Sequence, residues 1–164
     1  MGRFILMTLV MLVVALSLTG TGAVSPCSVG WESYGGNCYQ LVKTLMSWTK
    51  AEAACREKGE GSHLTSVHSS EESTFLANYA LNNGVFPVNV WNGLQDQYQD
   101  GNWQWSDASS FSYTAWKLGE PNNFLKMEYC AELCSSAGFF QWNDVSCSFL
   151  NFFICKLPAN PVPN

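Results

Sequence analysis

The sequence holds no cluster of lysine or arginine. Its 8 basic residues are scattered against 13 acidic ones, a formal net charge of −5. Phosphate backbones and anionic bilayers are recognised by concentrated positive charge, so nucleic acid and anionic membrane surfaces are poor partners on electrostatic grounds. Histidine is nearly as scarce: His63 and His68 lie five apart with no carboxylate cluster beside them, the pattern of structural or surface histidines. There is no G-x-S-x-G and no H-E-x-x-H, and no acid–base pair stands outside the one polar cluster described below. These absences argue against an enzyme. Only residues 4–18 form a long apolar run, and they fall short of the ~20 residues that span a bilayer. That run follows Arg3 and precedes Thr21-Gly22-Ala23, the layout of a secretory signal peptide over residues 1–23. The mature chain is therefore expected to be secreted and extracellular, without membrane insertion. Losing Arg3 leaves 7 basic against 13 acidic residues, a net charge near −6. The mature chain also lacks any N-x-S/T glycosylation acceptor, internal repeat or low-complexity tract.

Cysteine, by contrast, is plentiful. All seven residues (Cys27, Cys38, Cys55, Cys130, Cys134, Cys147 and Cys155) follow the leader. In an oxidising destination that spacing reads as a disulfide framework with one cysteine left over. A zinc site on Cys130 and Cys134 is the competitor, but no neighbouring Cys or His pair completes it. Spacing alone does not choose the pairing.

From residue 27 to 42, Gly35-Gly36 separates two aromatic, strand-like runs and reads as a hairpin. Ser47 precedes a helical pattern with Trp48, Ala51 and Cys55 on one face, ended by Gly59. Ser69-Ser70-Glu71-Glu72 is the signature of a capping box opening a second helix. That helix would bury Phe75, Leu76 and Tyr79 and stop at Asn82-Asn83-Gly84. Beyond Val88 come short strands and long loops: VNVWNGL, then NWQWS and FSYTAW. Their aromatics Trp103, Trp105, Tyr113 and Trp116 fit core positions at period-two strand spacing better than a sugar-stacking platform. Residues 107–130 make a long polar loop, and such a loop inside a compact domain usually has a functional reason. Residues 149–156 read as a closing strand. The fold class expected is α+β: two helices, antiparallel sheet and an irregular loop region, stapled by disulfides. Its parts would be a signal peptide over 1–23, one domain over 24–157 and a Pro-rich tail over 158–164.

The segment EPNNFLKMEYCAELCSSAGFFQWNDVSC, residues 120–147, concentrates the chemistry. Glu120, Glu128 and Asp144 supply three carboxylates; Asn122 and Asn143 supply two amide carbonyls. These are all hard oxygen donors, without sulfur or imidazole. The set suits Ca²⁺, which takes about 6–8 oxygens at roughly 2.3–2.6 Å in flexible geometry. Pro121 stiffens the loop between two of them.

The EPN triplet, a Glu six residues after its Asn, a Cys two beyond that, and WND just before another Cys resemble the C-type lectin-like domain. The match is to its mannose-type, calcium-dependent branch and extends over essentially the whole chain after the leader. The leader itself is similar to those of snake venom C-type lectins. The resemblance implies disulfides Cys27–Cys38, Cys55–Cys155 and Cys130–Cys147, with Cys134 unpaired. It implies calcium ligation by Glu120, Asn122, Glu128, Asn143 and Asp144, the last also through its backbone carbonyl, and a cis bond before Pro121. Glu120, Pro121, Asn122, Glu128 and Asn143 would form the carbohydrate site. There two vicinal sugar hydroxyls would complete the coordination shell, giving protons to carboxylates and accepting from amides. Glu-before-Asn order goes, in the family, with the equatorial hydroxyls of mannose, and Gln-before-Asp with galactose. Asp96 and Asp100 match a weaker second calcium site, although Asn123 and Tyr129 stand where relatives carry aspartates. Asn92 departs from the apolar residue usual in the family's WIGL motif. The function implied is a calcium-dependent lectin for mannose-type glycans on cells or glycoproteins, able to agglutinate as a homo-oligomer and to serve in venom. The alternative is a lectin-like module for protein contact, as in relatives acting in haemostasis or in mineral matrix.

Overall fold

The computed structural model describes residues 26–160, so the signal peptide expected over residues 1–23 lies outside the described residues, as do residues 24–25 and 161–164. Chain order is β1 (Glu32–Tyr34), β2 (Asn37–Met46), α1 (Trp48–Arg56), β3 (His63–Leu64), α2 (Ser70–Asn82), β4 (Val90–Gln95), β5 (Gln104–Trp105), β6 (Cys130–Leu133), β7 (Trp142–Val145) and β8 (Asn151–Pro158). Strand order in the sheet is β1-β2-β8-β4-β6-β7, with β3 on β8 and β5 on β4. One pairing corrects the antiparallel expectation: β4 and β8 run parallel, with Val90 opposite Phe152 and Trp91 opposite Phe153. The sheet is therefore mixed. It joins the two ends of the domain, β2 and β8, to the middle strands that border the loop region.

Local chemistry explains the elements. Gly35 and Gly36 both take positive φ, which the two-residue turn between β1 and β2 requires. α1 starts after Ser47 as expected, but the Ser47 side chain makes no capping bond. It buries Trp48, Ala51 and Cys55 against Leu64, Trp91 and Phe153. α2 is capped as the sequence suggests, with Ser69 accepting from the Glu72 amide at 3.1 Å. The reciprocal half differs. Glu72 Oε2 accepts from the His68 amide, and Oε1 accepts from the Tyr39 hydroxyl and lies 2.7 Å from Lys156 Nζ. Leu76, Ala77 and Ala80 of α2 join Val90, Leu94, Trp105, Trp142 and Ile154 in the main core. Gly93 is fixed by close approach: a Cβ there would sit 2.6 Å from the Leu64 carbonyl oxygen and 2.8 Å from Ser106 Oγ.

Two expectations shift. FSYTAW forms no strand, only an isolated bridge from Trp116 to Trp142. Its aromatics still pack on the core, because Tyr113 and Trp116 stand edge-on to buried Trp142 at centroid distances of 5.8 Å, beside Trp105 of β5 at 5.6 Å. The last strand begins at Asn151, two residues later than expected, and runs to Pro158, the first residue that the sequence pattern assigns to the tail. The three disulfides are Cys27–Cys38, Cys55–Cys155 and Cys130–Cys147, and Cys134 is a buried free thiol.

Candidate functional site

β6 and β7 form the rigid side of the site. Their antiparallel register sets Ala131 opposite Asp144 and Glu132 opposite Asn143. The long loop is laid against β7 by two backbone bonds, Trp142 N–H to the Ala115 carbonyl and Lys117 N–H to the Trp142 carbonyl. A further turn, Glu120 N–H to the Lys117 carbonyl, delivers Glu120 to the end of β7. The Glu120–Pro121 bond is cis, as the resemblance implies; so is Phe86–Pro87, which the sequence reading missed.

Asp144 is the hub. It is fully buried, and its Oδ1 and Oδ2 accept from the amides of Asn122 and Asn123 at 3.1 and 2.7 Å. The EPN turn is thus fastened to the WND strand by one carboxylate. Glu128 Oε2 accepts from the Phe124 amide at 3.0 Å, and the Glu128 amide donates to Asn123 Oδ1. Among the described residues, no three carboxylate, imidazole or thiol groups form a metal cage by themselves. Two of the five residues in question are amides, and the acidic ones here cap the loop's own N–H groups. Glu120 is the exception: its Oε2 is buried and receives no hydrogen bond. Burial first, then the neighbouring Asp144 carboxylate, then the charge of Glu128, hold its carboxyl above the ordinary carboxylate range. Lys117 pulls weakly the other way. A buried carboxylate oxygen without a donor, beside two further acids and two amides, is the chemistry a hard cation satisfies. The residues present fit calcium.

Behind this cluster lies Glu132, which the sequence reading did not place in the site. It is buried, and burial pushes its carboxyl above the ordinary range despite three asparagine donors. A charge within the apolar strand pattern CAEL was the available signal.

Asp96 and Asp100 are brought together but are engaged in their own turn. Asp96 accepts from the amides of Asp100 and Gly101, and Asp100 from the amide and side chain of Asn102. The histidines are structural: His63 Nδ1 meets Glu52 at 2.7 Å, and His68 Nε2 meets Ser66 Oγ at 3.0 Å.

Residues 44–157 match the family model of the lectin C-type domain. The chain belongs to the C-type lectin family. It is 49% identical over 156 residues to C-type lectin lectoxin-Lio1 of Erythrolamprus poecilogyrus, covering 95% of this chain and 94% of that protein. It is 42% identical to the C-type lectin mannose-binding isoform of Notechis scutatus scutatus, covering 95% and 98%. Among solved structures, C-type lectin CEL-I from Cucumaria echinata superposes with a TM-score of 0.77 at 32% identity, covering 82% of this chain and 99% of that one. C-type lectins are binding proteins, not enzymes, which agrees with the missing catalytic motifs. Among the described residues no helix is long and apolar enough to cross a membrane.

Proposed function

We propose that this C-type lectin is secreted and binds mannose-type sugars through calcium held by Glu120, Asn122, Glu128, Asn143 and Asp144. The observation that carries the reading is the buried, donor-free Oε2 of Glu120 within a full set of hard oxygen donors. When bound, the ion supplies a Lewis-acidic centre that two vicinal hydroxyls can share. The protein's part is orientation. Glu120 and Glu128 are acceptors for hydroxyl protons, and the amides of Asn122 and Asn143 are donors to hydroxyl oxygens. Pro121 stiffens the turn between the first two. Glu-before-Asn order and the mannose-binding name of one relative support the mannose-type preference. Asp96 and Asp100 add at most a weaker site, because their oxygens already accept from backbone amides. A single small site binds weakly, so agglutination of cells would rest on several sites per particle.

The test is retention on mannan resin. It is expected in calcium, lost in chelator, and lost in Asn143→Ala. Retention that survives chelator and the substitution would instead favour a lectin-like module working by protein contact.

A further inference from the structure

We propose that Glu132 is the positioning residue that sets which end of the Asn143 amide faces the ligand, a role that rests on the calcium-lectin reading above. Glu132 is 3% exposed and takes part in neither of the ion pairs found among the described residues. Burying a carboxylate without a counter-charge is costly unless donors surround it. The donors are three asparagine side chains from three parts of the chain. Asn89 Nδ2 and Asn143 Nδ2 reach Oε1 at 2.8 and 3.3 Å, and Asn151 Nδ2 reaches Oε2 at 2.6 Å. Asn89 is itself fixed, since its Oδ1 accepts from the Ser135 amide and hydroxyl at 2.8 and 2.7 Å.

The chemistry of the two partners decides the orientation. An ionised carboxylate only accepts, whereas an amide donates at one end and accepts at the other. With Glu132 beneath it, Asn143 must turn Nδ2 inward, and Oδ1 is then directed away from the carboxylate. A hard cation needs that oxygen and is repelled by the N–H end. Nδ2 carries two hydrogens: one serves Glu132, and the second remains for a sugar hydroxyl. A neutral hydrogen-bonding residue at 132 would fill the space and tie the strands, yet would leave the amide free to flip. Acceptance by both Glu132 oxygens from three amide nitrogens therefore has a directional use.

Glu132→Gln tests this, because glutamine keeps the shape but presents a donor as well as an acceptor. Calcium affinity, read by intrinsic tryptophan fluorescence, should fall by about tenfold or more while circular dichroism shows an unchanged fold. Adding Asn143→Asp should restore calcium affinity to within about threefold of wild type, since either aspartate oxygen serves. It should not restore retention on mannan, since the Nδ2 donor is gone. A purely structural knot would not be rescued in calcium affinity alone. Equal calcium affinity in wild type and folded Glu132→Gln overturns the proposal. A readout needing neither calcium nor a variant is side-chain amide NMR of the chelated wild type. One Asn143 Nδ2 proton should be protected from solvent exchange, and two freely exchanging protons overturn the assignment. Wild type that binds no calcium but shows the protected proton would sink the functional reading and leave the orientation standing.

Discussion

Each residue of the site has a distinct task, and substitutions should separate them. Exchanging Glu120→Gln together with Asn122→Asp reverses the donor and acceptor at both positions. The expected outcome is a change of inhibitor ranking from mannose towards galactose, read by competitive elution; an unchanged ranking contradicts the assignment. The raised carboxyl of Glu120 gives a pH dependence whose sign is fixed. Folding raises its affinity for a proton above the ordinary value of 4.5, so metal-free protein loses that contribution as pH climbs through the window above 4.5. Buried Glu132 acts in the same direction. Calcium requires the ionised cluster and stabilises the fold by mass action, so its effect should grow over the same window. The difference in Tm with and without calcium should be small near pH 4.5 and large at neutral pH. An equal difference at both pH values would contradict the ligand set. The oxygen donors themselves were legible in the sequence because hard ligands cluster in short motifs. Glu132 was not, because its meaning depends on strand register: only the β6–β7 pairing sets it opposite Asn143.

At the scale of elements, two buried contacts carry the frame that holds the loops. Glu72, at the start of α2, ties the helix to β2 through the Tyr39 hydroxyl at 2.6 Å and to β8 through Lys156 at 2.7 Å. Both charged side chains are about nine-tenths buried. Glu72→Ala leaves the ammonium without its counter-charge and should cost about 3–5 kcal/mol in urea unfolding. A loss under about 1 kcal/mol would show the pair to be solvent-screened. Gly93 on β4 should tolerate no side chain, and Gly93→Ala should cost roughly 1–3 kcal/mol by forcing β4 from the Leu64 carbonyl. α2 was readable from its cap and 3.6-residue spacing, down to the stop at Asn82, whereas α1 was readable from spacing alone and ends at Arg56, ahead of Gly59. The parallel β4–β8 pair was not, since strand direction leaves no mark in a six-residue pattern. Nor was the irregular course of FSYTAW: its apolar alternation serves packing around Trp142, and it meets β7 only through an isolated bridge rather than a ladder.

For the whole molecule, three disulfides and a mixed sheet hold a polar loop region at one margin, and one thiol stays outside the framework. β6 ends at Leu133, and Cys134 opens a short 3-10 turn with its side chain 7% exposed, 3.2 Å from Ser136 Oγ. A thiol so covered should not form an interchain bond, so any oligomer should be non-covalent. Non-reducing electrophoresis should give a monomer band, and a band at twice that mass, lost in Cys134→Ser, would contradict this. Whether the molecule is a calcium-dependent lectin for mannose-type glycans is tested most directly by one glycan array, run with calcium and with chelator. Signal is expected on glycans with terminal mannose-type residues in calcium and none in chelator. Signal that persists in chelator, or an array without mannose-type binding in calcium, would contradict it.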